Sequence, residues 1–339
     1  MEVIMQHLDV VWFILVCVLF AGFFTLEGFD YGVGMLLPVL GKTDTERRQM
    51  INTVGPVWDG NQVWMITAGG ATFASFPQVY ATLFSGFYLA LFLMLTALIA
   101  RGVAFEFRSK NPSKAWRTTF DYCIFFGSLI PALLWGVTVG NLIQGTPIDA
   151  HMNFVGGFFD LLSPYTILCG IAFILVFLYH GALYTCIKTV GAISERARAT
   201  ALVEGVVTAV GALVLVGATY VYTDLFKSTL AAVAFAAAII CFLISWGVTR
   251  VRRPGLGFVF SCLTVIFVTV AYFAGLFPRI MVSSLDPAWS LTVSNASSST
   301  YTLTLMTVVA LVFVPIILIY QAWTYWTFRH RVSEEDLHY

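Results

Sequence analysis

Apolar runs longer than about 18 residues recur along the whole chain, and they constrain the fold more than any other feature, because a run of that length reads as a membrane span. The runs fall at roughly 10–37, 58–77, 79–100, 118–143, 160–187, 199–222, 228–249, 256–280 and 303–327. The expected fold class is therefore an all-α polytopic membrane protein with about nine transmembrane helices, forming one continuous domain over residues 1–339. Composition agrees: 59% of residues are hydrophobic and 11% charged, where soluble domains carry roughly a quarter charged residues. Residues 1–9 hold Glu2 and Asp9 but no Lys or Arg, so the basic start of a cleavable signal peptide is missing and the first helix is expected to be retained.

The net charge of zero hides an asymmetry. With nine spans, one side receives Lys42, Arg47, Arg48, Arg101, Arg108, Lys110, Lys114, Arg117, Lys188, Arg196, Arg198, Arg250, Arg252, Arg253, Arg329 and Arg331, and the other keeps Lys227 and Arg279. The positive-inside rule then places the N-terminus outside and the tail, 329–339, in the cytoplasm.

The connections are short and hold no linker or low-complexity tract. Residues 41–57 read as a short helix with Thr43 and Glu46 in capping-box spacing, ended by Gly55-Pro56. The longest external connection, about 283–300, contains the sequon Asn295-Ala296-Ser297, which reads as part of a polar loop. Gly28 and Gly32, Gly136 and Gly140, and the run Ala68-Gly69-Gly70-Ala71 suit close helix packing. Trp323, Tyr325 and Trp326 beside Arg329 read as an interfacial anchor, and Cys17, Cys123, Cys169, Cys186, Cys241 and Cys262 as small core residues.

Carboxylates within spans are costly, so each needs a reason. Glu27 and Asp30, three apart, share one helix face near the inner end of the first span. They are raw material for a proton relay or for an ion-pair network that sets helix register. Asp59 opens the second span, where it can cap the helix, collect protons at the cytoplasmic mouth, or both, with Asn61 and Gln62 extending a polar path inward. Arg101 closes the third span and reads as topogenic charge or as a partner for an acid. Glu204 and Asp121 are expected to face basic neighbours such as Arg198 and Arg117. Of the histidines only His180 lies within a span, which argues for a hydrogen-bonded core residue and against a haem pair held by this chain. No P-loop, GxSxG or HExxH motif is present, so an autonomous soluble-type enzyme is not expected. No metal site in the chain and no nucleic-acid partner are expected.

Three strings carry a resemblance: Leu26-Glu27-Gly28-Phe29-Asp30-Tyr31-Gly32-Val33-Gly34-Met35, Arg47-Arg48-Gln49-Met50-Ile51-Asn52, and Trp58-Asp59-Gly60-Asn61-Gln62-Val63-Trp64 followed by Thr67-Ala68-Gly69-Gly70. Phe84-Ser85-Gly86-Phe87-Tyr88 and Gly140-Asn141-Leu142-Ile143-Gln144-Gly145 add to it. Together they closely resemble subunit II of the cytochrome bd quinol oxidase family. The resemblance is densest over residues 20–145; beyond that it rests on span number and loop charge.

What the resemblance implies is a multi-pass protein of the bacterial cytoplasmic membrane, built as two four-helix bundles plus one peripheral helix, in a heterodimer with a homologous large subunit. That partner would hold two haems b, the haem d and the quinol site, and the complex would oxidise quinol and reduce O2 to water. Subunit II would itself be haem-free, stabilising the large subunit and contributing to a cytoplasmic proton path, and in some relatives it holds a structural quinone. Membrane lipids and a small single-span accessory subunit are further implied partners. The proton-uptake carboxylate of the WDGN motif falls on Asp59, the acid of the GFD motif on Asp30, and a position open to either acid on Glu27; Trp58, Asn61, Gln62 and Arg101 support them. The chain is shorter than several relatives between the sixth and seventh spans, which puts a loop-bound small subunit in question. Two other readings stand beside this one, a secondary transporter or channel and a purely structural assembly subunit. The acids lie toward the inner ends of spans, whereas a transporter favours broken helices around a midplane site.

Overall fold

The computed structural model describes residues 7–337 and is almost entirely helical. Its helices are α1 (Leu8–Leu40), α2 (Asp44–Val54), α3 (Trp58–Ser75), α4 (Pro77–Gly86), α5 (Tyr88–Phe107), α6 (Lys114–Gln144), α7 (Pro164–Lys188), α8 (Gly191–Tyr222), α9 (Thr229–Arg250), α10 (Pro254–Leu276) and α11 (Thr300–Thr327). Eight of them, all but α2, α3 and α4, are long and apolar enough to cross a membrane among the described residues. The expected second span, 58–77, falls on the 18-residue helix α3, which is not among the eight because Asp59, Asn61, Gln62 and its glycines make it more polar than they are.

The expected third span, 79–100, is redrawn. Phe76 leaves helical geometry and Pro77 starts a separate 10-residue helix, α4, so the long helix begins only at Tyr88 and continues to Phe107. Arg101 therefore lies well inside α5 rather than at its end. The expected eighth span also ends early, at Leu276, because residues Arg279–Met281 form strand β1, paired antiparallel with β2 (Leu291–Thr292). Thr146 bridges to Ser283, so this small sheet closes over the loop after α6.

α1 is the central helix, packed against α3, α6, α7 and α10. Small residues set how close it comes. A Cβ on Gly32 would lie 2.0 Å from the Phe177 carbonyl oxygen and 2.7 Å from the Gly181 Cα, so α1 and α7 meet backbone to backbone. Gly136 of α6 repeats the device against Gly170 of α7, where a Cβ would sit 2.6 Å from Cα. Gly28 and Gly140 also face close neighbours, the Phe177 ring and Cys169. The run Ala68-Gly69-Gly70-Ala71 departs from the expected close packing, since Gly69 and Gly70 have nothing within 4 Å of an added Cβ. Both line an apolar cavity of about 640 Å³ among α1, α3, α4, α5, α6 and α10, walled by Phe20, Phe73, Phe84 and Trp135.

At the opposite end of the bundle, α2 lies over the helix ends. Its capping box forms as its sequence predicts: the Glu46 amide donates to Thr43 Oγ1 at 3.2 Å and the Thr43 amide to Glu46 Oε2 at 3.2 Å. The Tyr184 hydroxyl of α7 donates to the Thr53 carbonyl at 3.0 Å, fastening α2 from beneath. α11 stands apart, with Leu303 its single fully buried residue. Beyond it the chain crosses to α7, where Lys188 Nζ donates to the carbonyls of Phe328 and His330, and the Val332 amide donates to the Lys188 carbonyl at 2.7 Å. The six cysteines are all free, four of them buried and Cys123 and Cys262 partly so.

Candidate functional site

The interior polar cluster grows from one face of α1. Glu27 and Asp30 are separated by one helical turn and both are 0% exposed. Arg101 of α5 reaches Glu27 through Nη1 and is itself 1% exposed, so the pair is fully enclosed. Its guanidinium also lies over the Tyr31 ring at 4.9 Å and the Phe105 ring at 5.4 Å. α6 makes room for it at Gly127, where a Cβ would fall 2.5 Å from Arg101 Cβ and 2.7 Å from the Ala97 carbonyl oxygen. The topogenic reading of Arg101 is thereby replaced: the charge sits inside the bundle and is matched by an acid.

Asp30 is held from α3. Asn61 Nδ2 donates to Asp30 Oδ2 at 2.8 Å, and Asn61 Oδ1 accepts from the Tyr325 hydroxyl of α11 at 2.6 Å. Trp64 Nε1 donates to Gln321 Oε1 at 2.8 Å, joining α3 to α11 once more. Five buried polar atoms of the cluster have no protein partner: Glu27 Oε2, Asp30 Oδ1, the Tyr31 hydroxyl, and Arg101 Nε and Nη2. Buried polar atoms are normally satisfied by protein or ordered water, so this is a place suited to bridging water.

The other sequence candidates lie outside this cluster. Asp59 is exposed, and one of its oxygens accepts from the next amide, Gly60, at 2.7 Å. Two positions along α3 turn the helix by about 200°, so Asp59 and Asn61 face opposite ways and the expected continuous path Asp59–Asn61–Gln62 is not formed by contact. Gln62 is partly buried and stays outside the network. Trp58 packs on Phe105 with ring centroids 5.3 Å apart and bears on Gly102, so it fixes the start of α3 against α5.

A second charged cluster ties α2 to the helix ends. Asp121 of α6 accepts from Arg108 Nε at 2.5 Å and from Arg47 Nη1 at 2.7 Å, while Asp44 pairs with Arg108 at 2.9 Å and Arg117 at 2.7 Å. Asp121 therefore faces Arg108 and Arg47 rather than the expected Arg117. Glu46 pairs with Arg196 of α8 at 2.6 Å. Part-burial alone would raise the Glu46 pKa, but the Arg196 guanidinium and the amides of Lys42 and Thr43 outweigh it and hold the carboxyl below the usual glutamate value. Glu204 has no basic side chain in ion-pair reach among the described residues, because Arg198 turns to Glu195. The expected pairing of Glu204 with Arg198 is therefore not formed.

His180 uses both ring nitrogens: Nε2 donates to the Thr25 carbonyl at 3.0 Å, and Nδ1 meets Ser261 Oγ at 2.7 Å. In this arrangement neither nitrogen is free to ligate iron. No three His, Cys, Asp or Glu side chains converge as a metal set among the described residues. Tyr325 and Gln321 are the residues that sequence reasoning missed. Tyr325 reads as an interfacial anchor, yet it turns inward while Trp323 and Trp326 stay exposed and Arg329 stacks on Trp326 at 4.5 Å. The available signal was a glutamine and a tyrosine at i, i+4 spacing on an otherwise apolar helix.

The family model described as cytochrome bd terminal oxidase subunit II matches residues 8–328. The chain belongs to that family. It is 42% identical over 334 residues to cytochrome bd ubiquinol oxidase subunit 2 of Bacillus subtilis, covering 98% of this chain and 99% of the relative. To cytochrome bd-I ubiquinol oxidase subunit 2 of Escherichia coli K12 it is 41% identical over 368 residues, covering 98% and 97%. The bd oxidase structure from Geobacillus thermodenitrificans superimposes with a TM-score of 0.76 over 92% of this chain and 95% of that one, and at 16% identity this shows the shared fold. As a cytochrome bd subunit II protein, the chain is a multi-pass membrane component of a bd-type terminal oxidase, an oxidoreductase complex.

Proposed function

We propose that this chain is the haem-free subunit of a quinol-oxidising, O2-reducing complex in the bacterial cytoplasmic membrane, and that it supplies part of the path by which protons reach the partner's oxygen site from the cytoplasm. The carrying observation is the enclosed pair Glu27 and Asp30 on one face of α1, matched by a single buried cation, Arg101, with one carboxyl oxygen on each acid left without a protein partner. Two acids and one cation can hold a shared proton, and the unpartnered oxygens are where water can bring and take it. The same end of the bundle gathers Arg47, Arg108, Arg117 and Arg196, the residues that the positive-inside rule assigns to the cytoplasm.

In this reading the chain is one membrane domain with its N-terminus outside, and α3 is the ninth span. Trp58 packs near the inner end of α5, and the Ser75 carbonyl accepts from the Ser298 amide beside the start of α11 at 2.8 Å, so its 18 residues run from one face to the other. Asp59 stands at the inner mouth of α3 as the proton collector, fully accessible from outside the chain. Partner and membrane cover the exposed apolar faces, and the 640 Å³ cavity suits a long apolar chain such as the tail of a structural quinone. No observation favours a transporter, since the polar cluster sits between continuous helices.

The test is quinol-oxidase turnover of the assembled complex carrying Asp59→Asn or Asp30→Asn. Both are expected to lower turnover while the haem absorption spectrum survives. Unchanged turnover in both would remove the proton path from this chain, and loss of the haem spectrum together with activity would assign it an assembly role.

A further inference from the structure

The side chains around Asn61 admit one consistent set of donor directions. The Trp64 indole N–H can only donate, so its 2.8 Å contact makes the facing atom of Gln321 the carbonyl oxygen. The Gln321 amide nitrogen then points the other way, 3.5 Å from Asn61 Oδ1. The Tyr325 hydroxyl donates to that same oxygen at 2.6 Å. With its carbonyl taken, Asn61 presents Nδ2 to Asp30 Oδ2 at 2.8 Å and to the Leu26 carbonyl at 3.5 Å, an atom that can only accept. Every donor in the chain Trp64, Gln321, Asn61 is thus aimed toward Asp30.

Two features of α11 make this arrangement more than incidental packing. The helix exposes nearly all of its residues between Val309 and Tyr320, yet Gln321, Thr324 and Tyr325 turn back toward the bundle just before it ends. Further on, the segment after the helix is fastened to α7 by Lys188 and the Val332 amide. The inner end of α11 is therefore held at two places, and the polar one acts on Asn61.

We propose that Tyr325, seconded by Gln321, is a positioning residue for Asp30. By occupying the Asn61 carbonyl it keeps the Asn61 amide, and not its oxygen, against the carboxyl, which fixes Oδ2 as the hydrogen-bonded atom and leaves Oδ1 to exchange the proton. The titratable and charged groups close enough to act electrostatically on Asp30 are Glu27 and Tyr31 on α1, Arg101 on α5, Tyr184 on α7 and Tyr325 itself. Of these, only Tyr325 controls the orientation of Asn61. The inference rests on the proton-path reading and adds a residue on a different helix that the reading did not require.

The experiment uses the purified whole complex carrying Tyr325→Phe, Gln321→Met or Asp30→Asn. Three quantities are read: the haem spectrum, kcat and KM for quinol, and the redox-induced infrared difference spectrum, in which the Asp30 carboxyl is the band removed by Asp30→Asn. Tyr325→Phe is expected to keep the haem spectrum, shift the Asp30 band and lower kcat about threefold to tenfold, the effect of one lost hydrogen bond, with KM unchanged. Gln321→Met is expected to act in the same direction and more weakly, and it serves alone if the Tyr325 variant does not assemble. An unshifted band with unchanged kcat in the assembled variant overturns the positioning role. If Asp30→Asn itself leaves kcat and the infrared spectrum unchanged, the proton-path reading falls and this inference falls with it; if Asp30→Asn is impaired and Tyr325→Phe is not, only the inference is lost.

Discussion

Arg101 and Glu27 face each other across the boundary between α5 and α1, both almost completely withdrawn from solvent. Removing one partner of such a pair leaves an uncompensated buried charge, which typically costs about 3–5 kcal/mol, whereas replacing both by apolar groups of similar volume is often close to neutral. Glu27→Gln is expected to lower the thermal stability of the detergent-purified complex sharply. Glu27→Met with Arg101→Met is expected to recover much of that loss, read as the midpoint of a thermal unfolding scan. A double variant no more stable than the single would mean that the pair is not the source of the effect.

Glycines that look alike in sequence are predicted to respond in opposite ways. Gly32→Ala drives a methyl into the Phe177 carbonyl oxygen, which lies 2.0 Å from the position of the new Cβ, and overpacking of this sort costs about 1–3 kcal/mol or more. Gly70→Ala meets nothing within 4 Å, and alanine is preferred over glycine inside a helix by roughly 0.5–1 kcal/mol. The yield of assembled complex is expected to fall for the first and to hold or rise for the second.

The Glu46–Arg196 contact predicts an acid-sensitive anchor for α2. Because the folded carboxyl titrates below its unfolded value, its stabilisation is fully present above the unfolded glutamate pKa and is lost as pH falls through the folded one. The stability difference between the unaltered chain and Glu46→Gln is therefore expected to be largest near neutral pH and to shrink as pH falls below the ordinary glutamate pKa of about 4.3. A difference that grows on acidification would contradict the assignment.

The helical class, the capping box at Thr43 and Glu46 and the backbone contacts at Gly32 and Gly136 were legible in the sequence, because each depends on local pattern. The break at Phe76-Pro77 was harder to read, since the apolar run continues through it and hydropathy does not register a change of direction. Glu27, Asp30 and Asn61 were singled out as chemically expensive residues in spans, but their connections come from helices far away in sequence. Arg101 reads as the end of a span because hydropathy alone begins that span near residue 79, whereas the helix runs from Tyr88 to Phe107. Tyr325 was hidden by its neighbours: beside Trp323, Trp326 and Arg329 it has the composition of an interfacial belt, and only the three-dimensional phase of α11 turns it inward. The opposite facing of Asp59 and Asn61 follows from helical geometry and could have been anticipated.

α11 carries a consequence of a different kind. Between its hydrogen-bonded ends a helix with one buried residue has little packing of its own, so its seat is shared with whatever surrounds it, and a helix in a bilayer answers to the thickness of that bilayer. Two of its side chains nevertheless complete a hydrogen-bonded cluster in the protein interior. Those hydrogen bonds run from the outermost helix through Asn61 to Asp30, so a change of lipid or detergent around that helix is expected to reach an enclosed carboxyl without touching it.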